Sequence, residues 1–202
     1  MNASDLEKRL AAGPPASLDL DDLAATVAGR AEAEGVLDVA WTTTDSPLGS
    51  LVLMATEDGL VMVSYHSVDA AVDEAGRRIS PRVLKAPARL DPARRELEEY
   101  FAGTRQRFDV PLDWRLVGPF QQRVLSACAA IPFGHVSTYQ EMAASAGNPR
   151  ASRAAGNALG RNPMPIVVPC HRVLRSGGGF GGYTGGIDKK RTLLELEGVI
   201  LA

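Results

Sequence analysis

The chain is poor in cysteine, histidine and aromatic residues, and each shortage removes a class of function. Two cysteines, Cys128 and Cys170, among 202 residues exclude a disulfide framework and argue against a four-thiolate zinc site. Adjacent Cys170 and His171 make a poor shared metal site, and His66 and His135 have no ligand spacing, so no metal is expected. No uninterrupted apolar run approaches the ~18 residues of a membrane span, which leaves no membrane partner. The first 30 residues carry Asp5, Glu7, Asp19, Asp21 and Asp22 and contain no apolar core, so no signal peptide is expected and the cytoplasm is the default location. The glycine-rich stretch from Arg175 to Gly186 has no following Lys-Ser/Thr, which argues against a phosphate-cradling loop; it reads as a mobile or closely approaching loop with Tyr183 as its aromatic contact.

An overall basic excess is also missing, since the net charge is −2. The average conceals a division. Residues 1–114 hold 12 Lys and Arg against 20 Asp and Glu, a net of −8, whereas residues 115–202 hold 10 against 4, a net of +6. A basic half points to a polyanion partner, although one half can be basic without binding anything.

Periodicity divides the chain into α+β parts. Residues 1–35 read as an extension, with Leu6, Leu10, Leu18, Leu20, Leu23 and Val27 at partial helical spacing around Gly13-Pro14-Pro15, helical or partly disordered. Residues 36–108 read as a small domain with strands over 36–44, 50–55 and 60–66 and helices over 68–79 and 92–102. His66 is placed as a strand-end polar residue. Residues 109–118 link this part to residues 119–202. There, a helical stripe from Pro119 to Ile131 puts Cys128 in the core as a small hydrophobe.

Thr138 and Glu141 form a capping-box pair opening a helix at Tyr139, and Gly147 ends it. Asn148 and Pro149 suit the N-cap and first position of a second helix reaching Gly160. Ala151, Ser152, Ala154, Ala155, Gly156 and Ala158 are small enough for close backbone approach, and Arg150, Arg153 and Arg161 can meet phosphates. A helix-turn-helix and a plain packed helical hairpin both fit. Next, Pro165 and Pro169 bracket a short apolar run that cannot be a helix interior or a long central strand. It reads as a rigid strap that delivers Cys170. The thiol is either an inert buried group or a nucleophile whose thiolate is favoured by His171 or Arg172. A closing helix over 188–198 turns Leu193, Leu194 and Leu196 inward and leaves Glu195 and Glu197 available.

Pro169-Cys170-His171-Arg172-Val173, with Gly147-Asn148-Pro149 and Gly160-Arg161-Asn162-Pro163 before it and Gly181-Gly182-Tyr183 and Leu194-Glu195-Leu196-Glu197 after it, resembles the O6-alkylguanine-DNA alkyltransferase family, the methylated-DNA–protein-cysteine methyltransferases. The likeness is close over Pro119 to Gly198 and looser from Val36. It implies a ribonuclease H-like N-terminal α/β domain and a mainly helical C-terminal domain with a helix-turn-helix. It further implies stoichiometric transfer of an alkyl group from O6-alkylguanine, and from O4-alkylthymine, in double-stranded DNA to Cys170. By the same likeness His171 is the base acting through a water, Glu197 orients His171, Asn162 holds the strap's turn, and Tyr139 hydrogen-bonds the departing guanine. Arg153 replaces the flipped nucleotide in a minor-groove complex that Asn148, Arg150, Ser152, Ala154 and Gly156 also contact. Pro165, Leu159, Val173, Tyr183 and Thr184 line the guanine pocket. The thioether product leaves a protein that acts once, without cofactor and as a monomer. Two rivals are a binding module that flips damaged guanine without transfer, and a DNA-binding regulator that senses through Cys170; the presence of Cys170 speaks against the first and the lack of a regulatory domain against the second.

Overall fold

Strand alternation decides how the N-terminal half is layered. The protein is seen in a computed structural model that describes residues 20–199. Strand β2, Leu51–Thr56, is buried along its whole length: Leu51, Leu53 and Ala55 enter one apolar cluster and Val52 and Met54 another. It lies between β1 (Val39–Thr44) and β3 (Gly59–Ser64), both antiparallel to it, and β4 (Val83–Lys85) pairs parallel with β1, giving the order β3-β2-β1-β4. Helix α2 (Val68–Arg78), capped by the Ser67 side chain, covers one face through Ala71 and Ala75. Helix α3 (Pro87–Phe101) covers the other through Leu90, Ala93, Leu97 and Tyr100. The strand expected from residue 36 starts at Val39, and β4 was not foreseen because three residues carry no readable period. Helix α3 starts five residues earlier than expected: Pro87 occupies the first turn and Pro92, taken as the start, sits inside at the loss of one backbone bond.

Helix α1 (Leu20–Ala33) precedes the sheet, buries Ala28, and is tied to α3 by the Arg89–Glu32 ion pair. The helix expected around Leu6 and Leu10 lies outside the described residues. The connecting segment is clamped rather than free. Leu60 N–H donates to the Pro111 carbonyl and Asp113 N–H to the Leu60 carbonyl, both at 2.8 Å, so residues 111–113 run beside β3.

In the C-terminal half, α4 (Pro119–Ala129), α5 (Tyr139–Ser145) and α6 (Ser152–Gly160) pack on one another, and α7 (Ile187–Leu196) closes the fold. Short strands β5 (Ser137–Thr138) and β6 (Val173–Leu174) pair in parallel. The expected capping box at Thr138 and Glu141 is present. The second helix of the pair begins at Ser152, not Pro149. Gly147, at φ 84°, and Asn148 close α5 through backbone bonds to Ala144 and Ala143, and the Asn148 carbonyl then accepts from Ala151 in a turn. Asn148 therefore serves the end of one helix instead of capping the next, and Arg150 lies in the turn. Leu193 and Leu194 are buried as expected, but Leu196 is 37% exposed because two helical positions beyond Leu194 face away from the core.

One apolar cluster joins both halves, running from Leu51, Leu53, Leu97 and Tyr100 to Val124, Leu125, Cys128, Met164, Cys170 and Leu193. Cys170 thus stands where the shared core meets the surface.

Candidate active site

The strap before Cys170 is built on one side chain. Asn162 Nδ2 donates to the Val168 carbonyl at 2.8 Å and toward Cys170 Sγ at 3.3 Å, while its Oδ1 accepts from Met164 N–H at 3.0 Å. These bonds and the Pro165–Val168 bridge hold Ile166 at φ 75°, a region that a β-branched residue rarely enters. Pro163 anchors the strap to the sheet by accepting from Val63 N–H at 2.8 Å. Cys170 then opens a single 3-10 turn, Cys170–Arg172, and is only 5% exposed.

That turn aims its next two side chains at Glu197, just past the end of α7. His171 Nε2 lies 2.8 Å from Glu197 Oε1; Arg172 donates from Nε to Oε2 at 2.8 Å and from Nη2 to Oε1 at 2.9 Å. Tyr100 donates its hydroxyl to Oε1 at 2.7 Å, and Gly134 N–H to Oε2 at 3.3 Å. Burial alone would raise the Glu197 pKa, but the hydrogen bonds of His171 and Arg172 outweigh it and hold it at about 2. Glu197 is therefore a carboxylate, and the permanent Arg172 charge balances it. Burial pushes His171 below its ordinary value, so the ring is neutral. With Glu197 an acceptor only, Nε2 carries the proton and Nδ1 carries the lone pair. Nδ1 is fully buried and has no hydrogen-bond partner among the described residues.

The thiol is not a resting thiolate. Burial drives the Cys170 pKa up to about 11, against smaller opposing effects from Asn162 and Lys190. The expectation that His171 or Arg172 favours thiolate is corrected here: His171 is neutral, and Arg172 is directed to Glu197 and to the Ile131 carbonyl at 2.6 Å. Attack by Cys170 needs a base in the same step. Lys190 is itself buried, hydrogen-bonded to the Val173 carbonyl at 2.6 Å and to the Phe180 carbonyl, and burial lowers its pKa to about 8.

Above Cys170 opens a cleft of about 630 Å³. Helix α5 contributes Tyr139; α6 contributes Ser152, Arg153, Gly156 and Leu159; the glycine loop contributes Gly181, Gly182, Tyr183 and Thr184. Seven of the residues singled out from the sequence besides Cys170 meet here: Tyr139, Ser152, Arg153, Gly156, Leu159, Tyr183 and Thr184. Asn162, His171 and Glu197 form the buried layer beneath. Pro165 and Val173 do not line the cleft; both are buried behind it, in the strap and in β6. Asn148 and Arg150 are exposed in the turn between α5 and α6, and Ala154 faces a separate shallow depression with Asn157 and Arg161. Leu125 is core and Cys128 is fully buried. No group of three or more His, Cys, Asp or Glu among the described residues is arranged to hold a metal, and no helix there is long and apolar enough to cross a membrane.

Sequence reasoning missed Tyr100, Lys190, Arg175 and Tyr65. Arg175 lines the cleft, and Tyr65 lies 2.8 Å, hydroxyl to hydroxyl, from Tyr183. The partners of Tyr65 and Tyr100 lie far along the chain, so no local pattern marks those two. The work of Arg172 was legible in principle: a buried arginine beside a histidine needs a carboxylate.

A single strapped cysteine, a neutral histidine set by a carboxylate, and an open cleft beside a helix pair define a protein that accepts a group onto sulfur. The models of two domains match: 6-O-methylguanine DNA methyltransferase, ribonuclease-like domain, over residues 39–114, and 6-O-methylguanine DNA methyltransferase, DNA binding domain, over residues 119–199. The Mycobacterium bovis methylated-DNA–protein-cysteine methyltransferase is 41% identical over 157 residues, 78% of this chain and 91% of its own. The constitutive Bacillus subtilis one is 38% identical over 158 residues, 78% of this chain and 94% of its own. The crystal structure of the Mycobacterium tuberculosis O6-methylguanine methyltransferase has a TM-score of 0.69 at 40% identity, covering 79% of this chain and 92% of that one. Mycobacterium tuberculosis OGT in complex with DNA has a TM-score of 0.68 at 39% identity, covering 79% and 93%. The chain belongs to the methylated-DNA–protein-cysteine methyltransferase family.

Proposed function

We propose that this protein repairs double-stranded DNA by moving the alkyl group of O6-alkylguanine, and of O4-alkylthymine, onto Cys170, once per molecule. The observation that carries this reading is the buried Cys170–Asn162 and His171–Glu197–Arg172 arrangement under the cleft. His171 Nδ1, buried with no hydrogen-bond partner among the described residues, takes the Cys170 proton through a water. The sulfur attacks the alkyl carbon, a carbon–sulfur bond forms, and the carbon–O6 bond breaks with its electrons passing to guanine. Guanine then gains a proton, Tyr139 donating the hydrogen bond that eases its departure. Burial raises the Tyr139 pKa, which suits a donor. The thioether is stable, so in this reading the protein acts once and uses no cofactor.

Residues 119–202 are the DNA-binding and active-site domain in this reading, residues 36–108 the support behind it, and residues 109–118 the connection. The helix pair enters the minor groove. Arg153, exposed at the start of α6 on the rim of the cleft, fills the stack after the damaged nucleotide swings out, a step costing a few kcal/mol. Ser152, Ala154, Gly156, Asn148 and Arg150 contact the backbone; Leu159, Tyr183 and Thr184 enclose the base. The protein works as a cytoplasmic monomer, where its two free cysteines stay reduced.

The test mixes the protein with a duplex holding one O6-methylguanine and takes the intact mass. One methyl gained per protein, and none in Cys170→Ala, is the expected result. Tight binding without mass gain overturns the proposal and favours a binding module.

A further inference from the structure

We infer that Tyr100, contributed by the N-terminal half, is a positioning residue for the base: its hydroxyl fixes the Glu197 oxygen against which His171 is set and shares that oxygen's charge. The inference rests on the reading of His171 as the base. Tyr100 is fully buried, with its ring centroid 5.3 Å from those of Phe101 and Phe108 and 6.1 Å from that of Phe133. That cage leaves the hydroxyl one direction, toward Glu197 Oε1 at 2.7 Å. The same oxygen accepts from His171 at 2.8 Å and from Arg172 Nη2 at 2.9 Å. Burial, then the neighbouring Glu197 charge, raise the Tyr100 pKa, so the hydroxyl stays a donor at any working pH.

The consequence concerns proton affinity. A carboxylate oxygen whose charge is shared by fewer donors attracts the His171 proton more strongly and favours imidazolium. Imidazolium cannot accept the Cys170 proton. The other charged groups set around His171 are Arg172 on its own turn and Lys190 on α7, both of which lower its pKa. Tyr183 contributes only a ring edge, at 6.4 Å between centroids. Tyr100 is thus an uncharged donor to that oxygen, supplied by an element 97 residues away from Glu197. It makes the setting of the base depend on α3 being docked against the C-terminal half.

The experiment uses full-length Tyr100→Phe, which removes one oxygen and keeps the ring. Single-turnover transfer from free O6-benzylguanine is followed from about pH 5 to about pH 9. The acid limb is expected to move up by about half a pH unit, which is about a threefold loss of rate on that limb, with the alkaline plateau retained. A profile that superimposes on the parent's, or is scaled down equally at every pH, overturns the inference. Site-specific 3-fluorotyrosine at position 100, a stronger donor that preserves packing, is expected to move the limb the other way; an unmoved limb counts against the proposal. Proton NMR titration of the His171 ring reads the same shifts without any transfer. Failure of the parent to gain mass therefore overturns the proposed function alone, whereas an unmoved His171 titration in both variants overturns the role of Tyr100.

Discussion

Arg172 and Glu197 meet inside the protein as a two-pronged ion pair, Nε to Oε2 at 2.8 Å and Nη2 to Oε1 at 2.9 Å, their side chains 6% and 0% exposed. The planar guanidinium matches both oxygens at once, which an ammonium cannot do. Because this charge is permanent, Glu197 is neutralised without protonating His171, and the imidazole stays neutral. A carboxylate balanced only by its histidine would raise that histidine's proton affinity.

Removing this arginine leaves an uncompensated charge in the core. Arg172→Leu is expected to lose about 3–5 kcal/mol of unfolding free energy in urea, the range for breaking one side of a buried pair. Arg172→Lys should fall between the two, since it restores charge without the fork. Parent-like stability for Arg172→Leu would show that Glu197 is protonated in the fold.

Acid should destabilise the protein in two stages. His171 is depressed below 6.5 in the fold, so below about that pH the unfolded chain binds a proton that the native state refuses, and stability falls. Glu197 titrates at 4.5 when unfolded and about 2 when folded, so a second loss begins near 4.5 and continues toward 2. On the alkaline side the buried thiols of Cys170 and Cys128, both raised above 9.0, oppose Lys190. Cys170, raised from 9.0 to about 11, loses its contribution as pH climbs through that interval, while Lys190, lowered from 10.5 to about 8, relieves a penalty over an overlapping one. Urea midpoints measured across pH should decline below about 6.5, rise between about 8 and about 9 where Lys190 alone responds, and fall above about 9 as both thiols ionise in the unfolded chain. His171→Gln should flatten the first acid stage and spare the second; an equal decline in both proteins contradicts the assignment.

Why parts of this arrangement could be read from the chain, and others not, follows from range. The capping box of Thr138 and Glu141, the Gly147 terminus and the proline-bracketed strap are local devices, each encoded within a few residues. Cys170, His171 and Asn162 lie within ten residues and came as one motif. Glu197 and Tyr139 were reached only through family resemblance, since no spacing rule joins position 171 to 197. Tyr100 and Tyr65 were invisible for a further reason: their bonds cross from one half to the other, and a tyrosine among apolar neighbours looks like packing. The start of α6 was misread because Asn148-Pro149 is as good a helix ending as a helix opening, and Gly147 at φ 84° settled it toward the former.

Gly181 is a position where a single methyl group is expected to matter. It sits at φ 67°, and a Cβ there would run into the Tyr139 hydroxyl and lie 2.9 Å from its ring carbon Cε2. Gly181→Ala must displace Tyr139 or the loop, and a shift of about 1 Å can lower the rate about a hundredfold. Gly177→Ala, in the same loop with nothing within 4 Å of its Cβ, serves as the control and should react like the parent. Equal rates for both variants would remove Tyr139 from the reaction.

Arg153 provides the test that separates chemistry from DNA handling. It stands exposed on α6 among the residues that line the cleft, whereas His171 and Glu197 are buried beneath it. If it holds the duplex open after the nucleotide leaves, its loss burdens only substrates that must be flipped, and flipping costs a few kcal/mol. Arg153→Ala should therefore repair O6-methylguanine in duplex DNA about 10- to 100-fold more slowly, the equivalent of about 1.4–2.8 kcal/mol. Its rate with free O6-benzylguanine should stay within about twofold, because that substrate enters the cleft without leaving a stack. Raising salt should weaken the variant and the parent in parallel, apart from the one lost cation, since most phosphate contacts remain. Equal losses on duplex and free base would place Arg153 in the pocket's chemistry instead and remove it from the flipping step.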